Sequence, residues 1–195
     1  MDRPKGRTKI RPVPDASPTP NRLHVADTAP LDAPDAETIR DVGLDRALHV
    51  WQEAAGSRDV PAWRDVDLLK LPASLRRGTM VADYDTARDD FFIRYWGDDL
   101  VNAFGIELSQ KWLSEADHNG VMTSFRNSAH TTLERRAPQW LSHAITSPGG
   151  IRRVFPVVRL PLIDPDTGEA HVMTVENIEM SMAFFAANDL RYRAR

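Results

Sequence analysis

The stretch GTMVADYDTARDDFFIRYWGDDLVNAFG, residues 78–105, decides how this chain is read. Two runs rich in apolar and aromatic residues, Thr79–Tyr84 and Phe91–Trp96, flank a polar turn, Asp85-Thr86-Ala87-Arg88-Asp89-Asp90. Short runs of this composition, bounded by turn residues, predict paired antiparallel strands. Gly97 breaks the second run. Asp98 and Asp99 follow, placed to cap and to complement the positive end of a short helix over Leu100–Phe104. Gly105 stands where a left-handed C-terminal cap belongs. The prediction is a hairpin that feeds directly into a helix.

Downstream, Leu108–Glu115 reads as another short helical piece around Trp112 and Leu113. A longer helix spans Asp117–Arg136, with Met122, Phe125, Ala129 and Leu133 on one stripe, and Pro138 ends it. Three strands complete the chain: Trp140–Thr146, Ile151–Ile163 and Glu169–Ile178. The turns between them are Ser147-Pro148-Gly149-Gly150 and Asp164-Pro165-Asp166-Thr167-Gly168. Pro156 and Pro161 fall inside the long strand, which puts those parts of it at an edge, a bulge or an end.

Upstream, Thr38-Ile39-Arg40-Asp41 has the form of a capping box and opens a flanking helix that runs to Ala55 and stops at Gly56. Leu44, Ala47, Leu48, Trp51, Ala54 and Ala55 share one face of it. Residues 57–77 are extended, with a short helix at Leu68–Leu75 that Asp65 and Asp67 are placed to cap. The fold class is therefore α+β. It comprises a five-stranded antiparallel sheet, helices inserted between strands two and three on one face, and an N-terminal flanking helix. The divisions are a proline-rich basic tail at 1–36, the flanking helix at 37–56, the domain at 57–178 and a tail at 179–195. In that last tail Met180, Met182, Phe184 and Phe185 precede Arg191, Arg193 and Arg195, which is compatible with a C-terminal helix.

Five segments then carry a resemblance. Val60-Pro61-Ala62-Trp63-Arg64-Asp65-Val66-Asp67 leads in, and Leu68-Leu69-Lys70-Leu71-Pro72 follows. Ile93-Arg94-Tyr95-Trp96-Gly97 ends a strand, Phe104-Gly105 stops a helix, and Leu160-Pro161-Leu162 precedes the last hairpin. Over roughly residues 44–178 the set resembles PAS domains, in particular the small, mostly stand-alone bacterial PAS proteins common in alphaproteobacteria. One departure is Gly97-Asp98, where a Gly-Thr pair is usual. The resemblance implies a PAS-like sheet and a sensory or adaptor role in bacterial signal transduction, responding to a small ligand or to a protein partner. No kinase, cyclase or DNA-binding output module fits in the remaining residues. Output is therefore expected through another protein, such as a histidine kinase, or through a homodimer.

Composition bounds the alternatives. The chain has 195 residues, 42% of them hydrophobic, which suits one domain plus extensions. Residues 1–36 hold half of the fourteen prolines and no aromatic residue, so disorder is expected there. Arg3, Lys5, Arg7, Lys9 and Arg11 make its start basic. Without interleaved aromatics, and with a net charge of −3 overall, nucleic acid is not an expected partner. No apolar run is long enough to span a bilayer, and no signal peptide is visible, so cytoplasmic residence without membrane insertion is expected. The absence of cysteine excludes disulfides, thiolate catalysis and cysteine-based metal sites.

Searching for chemistry yields little. There is no phosphate-binding glycine loop, no Gly-x-Ser-x-Gly and no His-Glu-x-x-His. Asp83, Asp85, Asp89 and Asp90, with Asp164 and Asp166, suit a hard cation, but acids also favour turns for their own hydrogen bonds. His118 and His130 lie on the long helix, where some PAS domains ligate haem; a lone histidine without a pocket motif does not lead to that expectation. Flavin–cysteine photochemistry is excluded by the lack of cysteine. What remains is a pocket. Alternation puts Phe91, Ile93 and Tyr95 on the face toward the helices, with Phe104, Trp112, Met122 and Phe125 closing over it. The same side chains also suit a plain packed core, which regular spacing in a small domain favours. A ligand-free dimerising scaffold is the alternative to a sensor. An enzyme on this scaffold would need Asp83, Asp85 and a histidine to converge with a metal.

Overall fold

The computed structural model describes residues 24–27, 43–116, 121–146, 152–180 and 183. Its elements, in chain order, are β1 (His24–Asp27), α1 (Asp45–Ala55), α2 (Ala73–Arg77), β2 (Thr79–Asp85), β3 (Asp90–Trp96) and α3 (Asp98–Phe104). They continue with β4 (Lys111–Trp112), α4 (Leu113–Ala116), α5 (Val121–Arg135), β5 (Gln139–Thr146), β6 (Arg152–Ile163) and β7 (Ala170–Glu176). The strands form one sheet in the order β1-β5-β6-β7-β2-β3-β4, antiparallel at every pairing. The chain is α+β, with an antiparallel sheet and several helices.

The sheet has two strands beyond the expected five, one at each edge. β1 falls inside the proline-rich stretch expected to be disordered: His24–Asp27 adds its backbone to the open side of β5. At the other edge β4 replaces part of the expected helical piece at Leu108–Glu115. Gln110 adopts a left-handed φ of 63°, and its N–H reaches the Ile93 carbonyl at 2.7 Å. That turn lays Lys111 and Trp112 along β3, so the helix begins only at Leu113.

The two prolines of β6 follow the strand rule closely. β5 pairs with residues 152–159 of β6 and β7 with residues 157–163. Pro156 thus lies where only β5 is bonded and Pro161 where only β7 is. A proline, lacking an N–H, is tolerated where one side of the ladder is absent.

Both faces of the sheet are covered. On one, α3, α4 and α5 close over Met80, Ala82, Phe91, Ile93, Trp96, Phe155 and Val172. On the other, α1 and the 60–75 segment bury Val81, Val158, Leu160, Leu162, Met173 and Val175. Trp51 of α1 fixes that packing by donating from Nε1 to the Pro161 carbonyl at 2.7 Å. The flanking helix therefore packs on its own chain.

Local signals were honoured unevenly. Gly56 and Gly105 end α1 and α3 with positive φ. The short helix expected at Leu68–Leu75 is split by Leu71-Pro72 into a 3-10 turn at Leu68–Lys70 and α2. Asp67 caps the turn by accepting from the Leu69 N–H at 2.9 Å. Asp65 instead pairs with Arg58 at 2.7 Å. Asp98 and Asp99 sit in the first turn of α3, where Gly97 is the N-cap and no side chain caps the helix. Asp99 pairs with Arg77 at 2.6 Å. The Thr38–Asp41 capping box, most of residues 1–36 and most of the 179–195 tail lie outside the described residues. Among the described residues no helix is long and apolar enough to cross a membrane.

Candidate functional site

The space under the helices is lined differently from the simple alternation. Val81 pairs with Tyr95 but Ala82 pairs with Ile93, so Arg94 is an extra residue and β3 carries a bulge there. A bulge shifts the alternation by one. Phe91 and Ile93 face the helices as expected. Beyond the bulge Trp96, not Tyr95, faces them, with its Nε1 donating to the Ile106 carbonyl at 3.0 Å. Tyr95 packs on the opposite face, and its hydroxyl donates to the Arg76 carbonyl at 3.1 Å.

Of the other expected lining residues, Phe104 lies against Trp96 with ring centroids 6.1 Å apart. Phe125 meets Phe91 nearly edge-on at 5.9 Å. Trp112 does not close over this face. Through β4 it pairs with Phe92, ring to ring at 5.2 Å, on the other side of the sheet. The side chain of Met122, like His118, lies outside the described residues. Phe91, Ile93, Phe104 and Phe125 are brought together, and Tyr95 and Trp112 stand apart from them.

Sequence reasoning passed over the polar groups on this face. Register aligns Gln139, Arg159, Thr174 and Met80 across β5, β6, β7 and β2. That row turns Arg159 inward beneath α5, where it is 2% exposed. Its Nε donates to Thr174 Oγ1 and its Nη1 to the Phe125 carbonyl, each at 3.3 Å. The guanidinium carbon lies 4.3 Å from the Phe125 ring centroid. Burial pulls the Arg159 pKa down to about 9, against the opposing pull of Glu176. The group therefore stays charged at neutral pH. Glu176, on β7, is itself buried. Across from it His143 of β5 brings Nδ1 to 3.5 Å from Glu176 Oε2, without a hydrogen bond. Each strand beneath α5 thus contributes a polar group to an otherwise apolar space. A charged residue embedded in the apolar run Val157-Val158-Arg159-Leu160 was the available signal.

The turn acids are engaged within the protein. Asp89 accepts from the Tyr84 hydroxyl at 2.9 Å and from Arg126 at 2.6 Å, joining the β2–β3 turn to α5. His130 brings Nε2 to 3.4 Å from Asp89 and sets its ring edge-on to Tyr84 and Phe91. Asp90 accepts from Ser114 Oγ at 2.6 Å. Asp164 accepts the Asp166 and Thr167 N–H groups. Among the described residues no three metal-ligating side chains converge.

Asp83 is held by side chains from two neighbouring strands. It takes Arg94 Nε at 2.8 Å and Nη2 at 2.6 Å, and His171 Nδ1 at 2.7 Å. Burial raises its pKa, but the bonds from His171 and Arg94 outweigh this and hold the carboxyl below its ordinary 3.8. In the folded state it therefore releases its proton more readily than in the unfolded chain. The stability it contributes is complete above 3.8 and is lost as pH falls through the lower folded-state value. Urea midpoints taken from about pH 7 to about pH 3 should fall less steeply for Asp83→Asn than for the parent chain. Equal slopes would mean that these bonds do not distinguish the two states.

No protein-family model matches the chain, and no curated protein matches it.

Proposed function

We propose that the chain is a PAS-type sensory or adaptor protein of bacterial signal transduction. It binds a small ligand or a protein partner and passes the change on through protein–protein contacts. Two things support the fold part of this reading: the sequence motifs of residues 60–105 and 160–162, and the order β3-β2-β7-β6-β5 of the five longer strands, with helices inserted between β3 and β5. The observation that carries the ligand part is Arg159. A buried guanidinium has five N–H donors, and among the described residues two of them meet acceptors, each at 3.3 Å. Buried charge is stable when fully paired, so this group suits a ligand or a rearranged partner state that adds acceptors.

Native mass spectrometry of the full chain tests the reading. The expected result is a mass above that of the polypeptide, falling to the polypeptide mass on denaturation. A clean ligand-free dimer would overturn ligand sensing in favour of a dimerising scaffold.

A further inference from the structure

The opposite face of the sheet carries a second site, which does not depend on the reading above. Where β2, β3 and β7 approach the last hairpin turn, an open cleft of about 570 Å³ lies over His171. His171 is 5% exposed, yet its ring lines this cleft. Its Nδ1 is 2.7 Å from Asp83 Oδ1. Asp83 is ionised and already accepts two N–H groups of Arg94, so Nδ1 carries the proton and donates. With Nδ1 committed to Asp83, Nε2 is the ring nitrogen left for the cleft. Among the described residues Nε2 has no partner.

The cleft's charged groups divide cleanly. Arg94 is its one lining cation, and both nitrogens named above are committed to Asp83. Asp85 spends Oδ1 on the Ala87 and Arg88 N–H groups, at 2.9 and 3.0 Å. The Glu169 carboxylate has no hydrogen-bond partner among the described residues. Phe92 and Trp112 supply an aromatic wall. Trp112 also has a cation on its ring already, the Arg88 guanidinium carbon 4.2 Å from the centroid. Carboxylates at the rim and aromatic rings at the side, with the Nε2 edge of His171 at the base, complement a cation rich in N–H donors.

We propose that this cleft binds a guanidinium or primary ammonium group. The group is carried either by a free small amine or by a basic side chain of a peptide. Two probes separate these sources: agmatine, and a capped Gly-Gly-Arg-Gly-Gly peptide, each titrated into the full chain by heteronuclear NMR, with citrate as the control anion. The expected result is saturable shifts of the Asp83–Asp85 and Glu169–His171 amides and of the Trp112 indole N–H, with a Kd of about 1 mM or tighter. Glu169→Gln, an exposed change, and Trp112→Leu should each weaken binding by about threefold or more. Tighter binding of agmatine identifies a free amine, and tighter binding of the peptide identifies a peptide-borne group. Saturation by citrate alone, no shift with either cation at about 20 mM, or unchanged affinity in both variants would overturn the proposal.

Discussion

Arg159→Met is expected to lower the unfolding free energy by about 3–5 kcal/mol. The side chain it removes is buried beneath α5 and acts electrostatically on Glu176, buried on the neighbouring strand, which is left with His143 at 3.5 Å and no hydrogen bond to it. A buried carboxylate that loses a nearby positive charge costs more than the two 3.3 Å hydrogen bonds that Arg159 makes. The double variant Arg159→Met/Glu176→Gln removes both charges and should recover at least half of the loss. Urea unfolding followed by tryptophan fluorescence measures both. A single-variant loss under about 1 kcal/mol would show that water or His143 already compensates the Glu176 charge.

Gly97→Ala is expected to be as damaging, for a steric reason. A Cβ at this position would lie 2.1 Å from the Arg77 carbonyl oxygen and 2.6 Å from its carbon. These are backbone atoms and cannot rotate away. Gly97 is also tied at its N–H to the Thr79 carbonyl at 2.9 Å, so the site resists sliding. The expected cost is about 4 kcal/mol or more, or a chain that does not fold. Gly168→Ala is the contrast. Its φ is +76°, but nothing lies within 4 Å of the added Cβ, so only left-handed strain remains, about 1–2 kcal/mol. Thermal melts of the two variants should therefore separate clearly. Similar melting points would mean that the approach of Gly97 to Arg77 relaxes at little cost.

Much of the sheet was legible because its signals are local. The acid-rich turn between β2 and β3, the left-handed Gly105 and the two prolines of β6 each act on their own backbone. What stayed hidden depends on partners distant in the chain. The Phe91–Trp96 run contains no glycine or proline to announce a bulge, because the extra residue arises from how β2 is aligned. Tyr95 and Trp96 consequently exchanged faces. Trp112 lies in a segment of helical composition, and the left-handed Gln110 that diverts it to the edge of β3 is not a residue type that advertises such a turn. Arg159 was visible as a charge in an apolar run. That Glu176 and His143 would share its face of the sheet followed only from the pairing of β5, β6 and β7.

The divided pairing of β6 has a consequence for Arg159. β5 is bonded along residues 152–159 of β6 and β7 along residues 157–163, so only Val157, Val158 and Arg159 carry a ladder on both sides and the two ladders are offset along the strand. Arg159 is one of the three, so the guanidinium beneath α5 is rooted where the two ladders overlap.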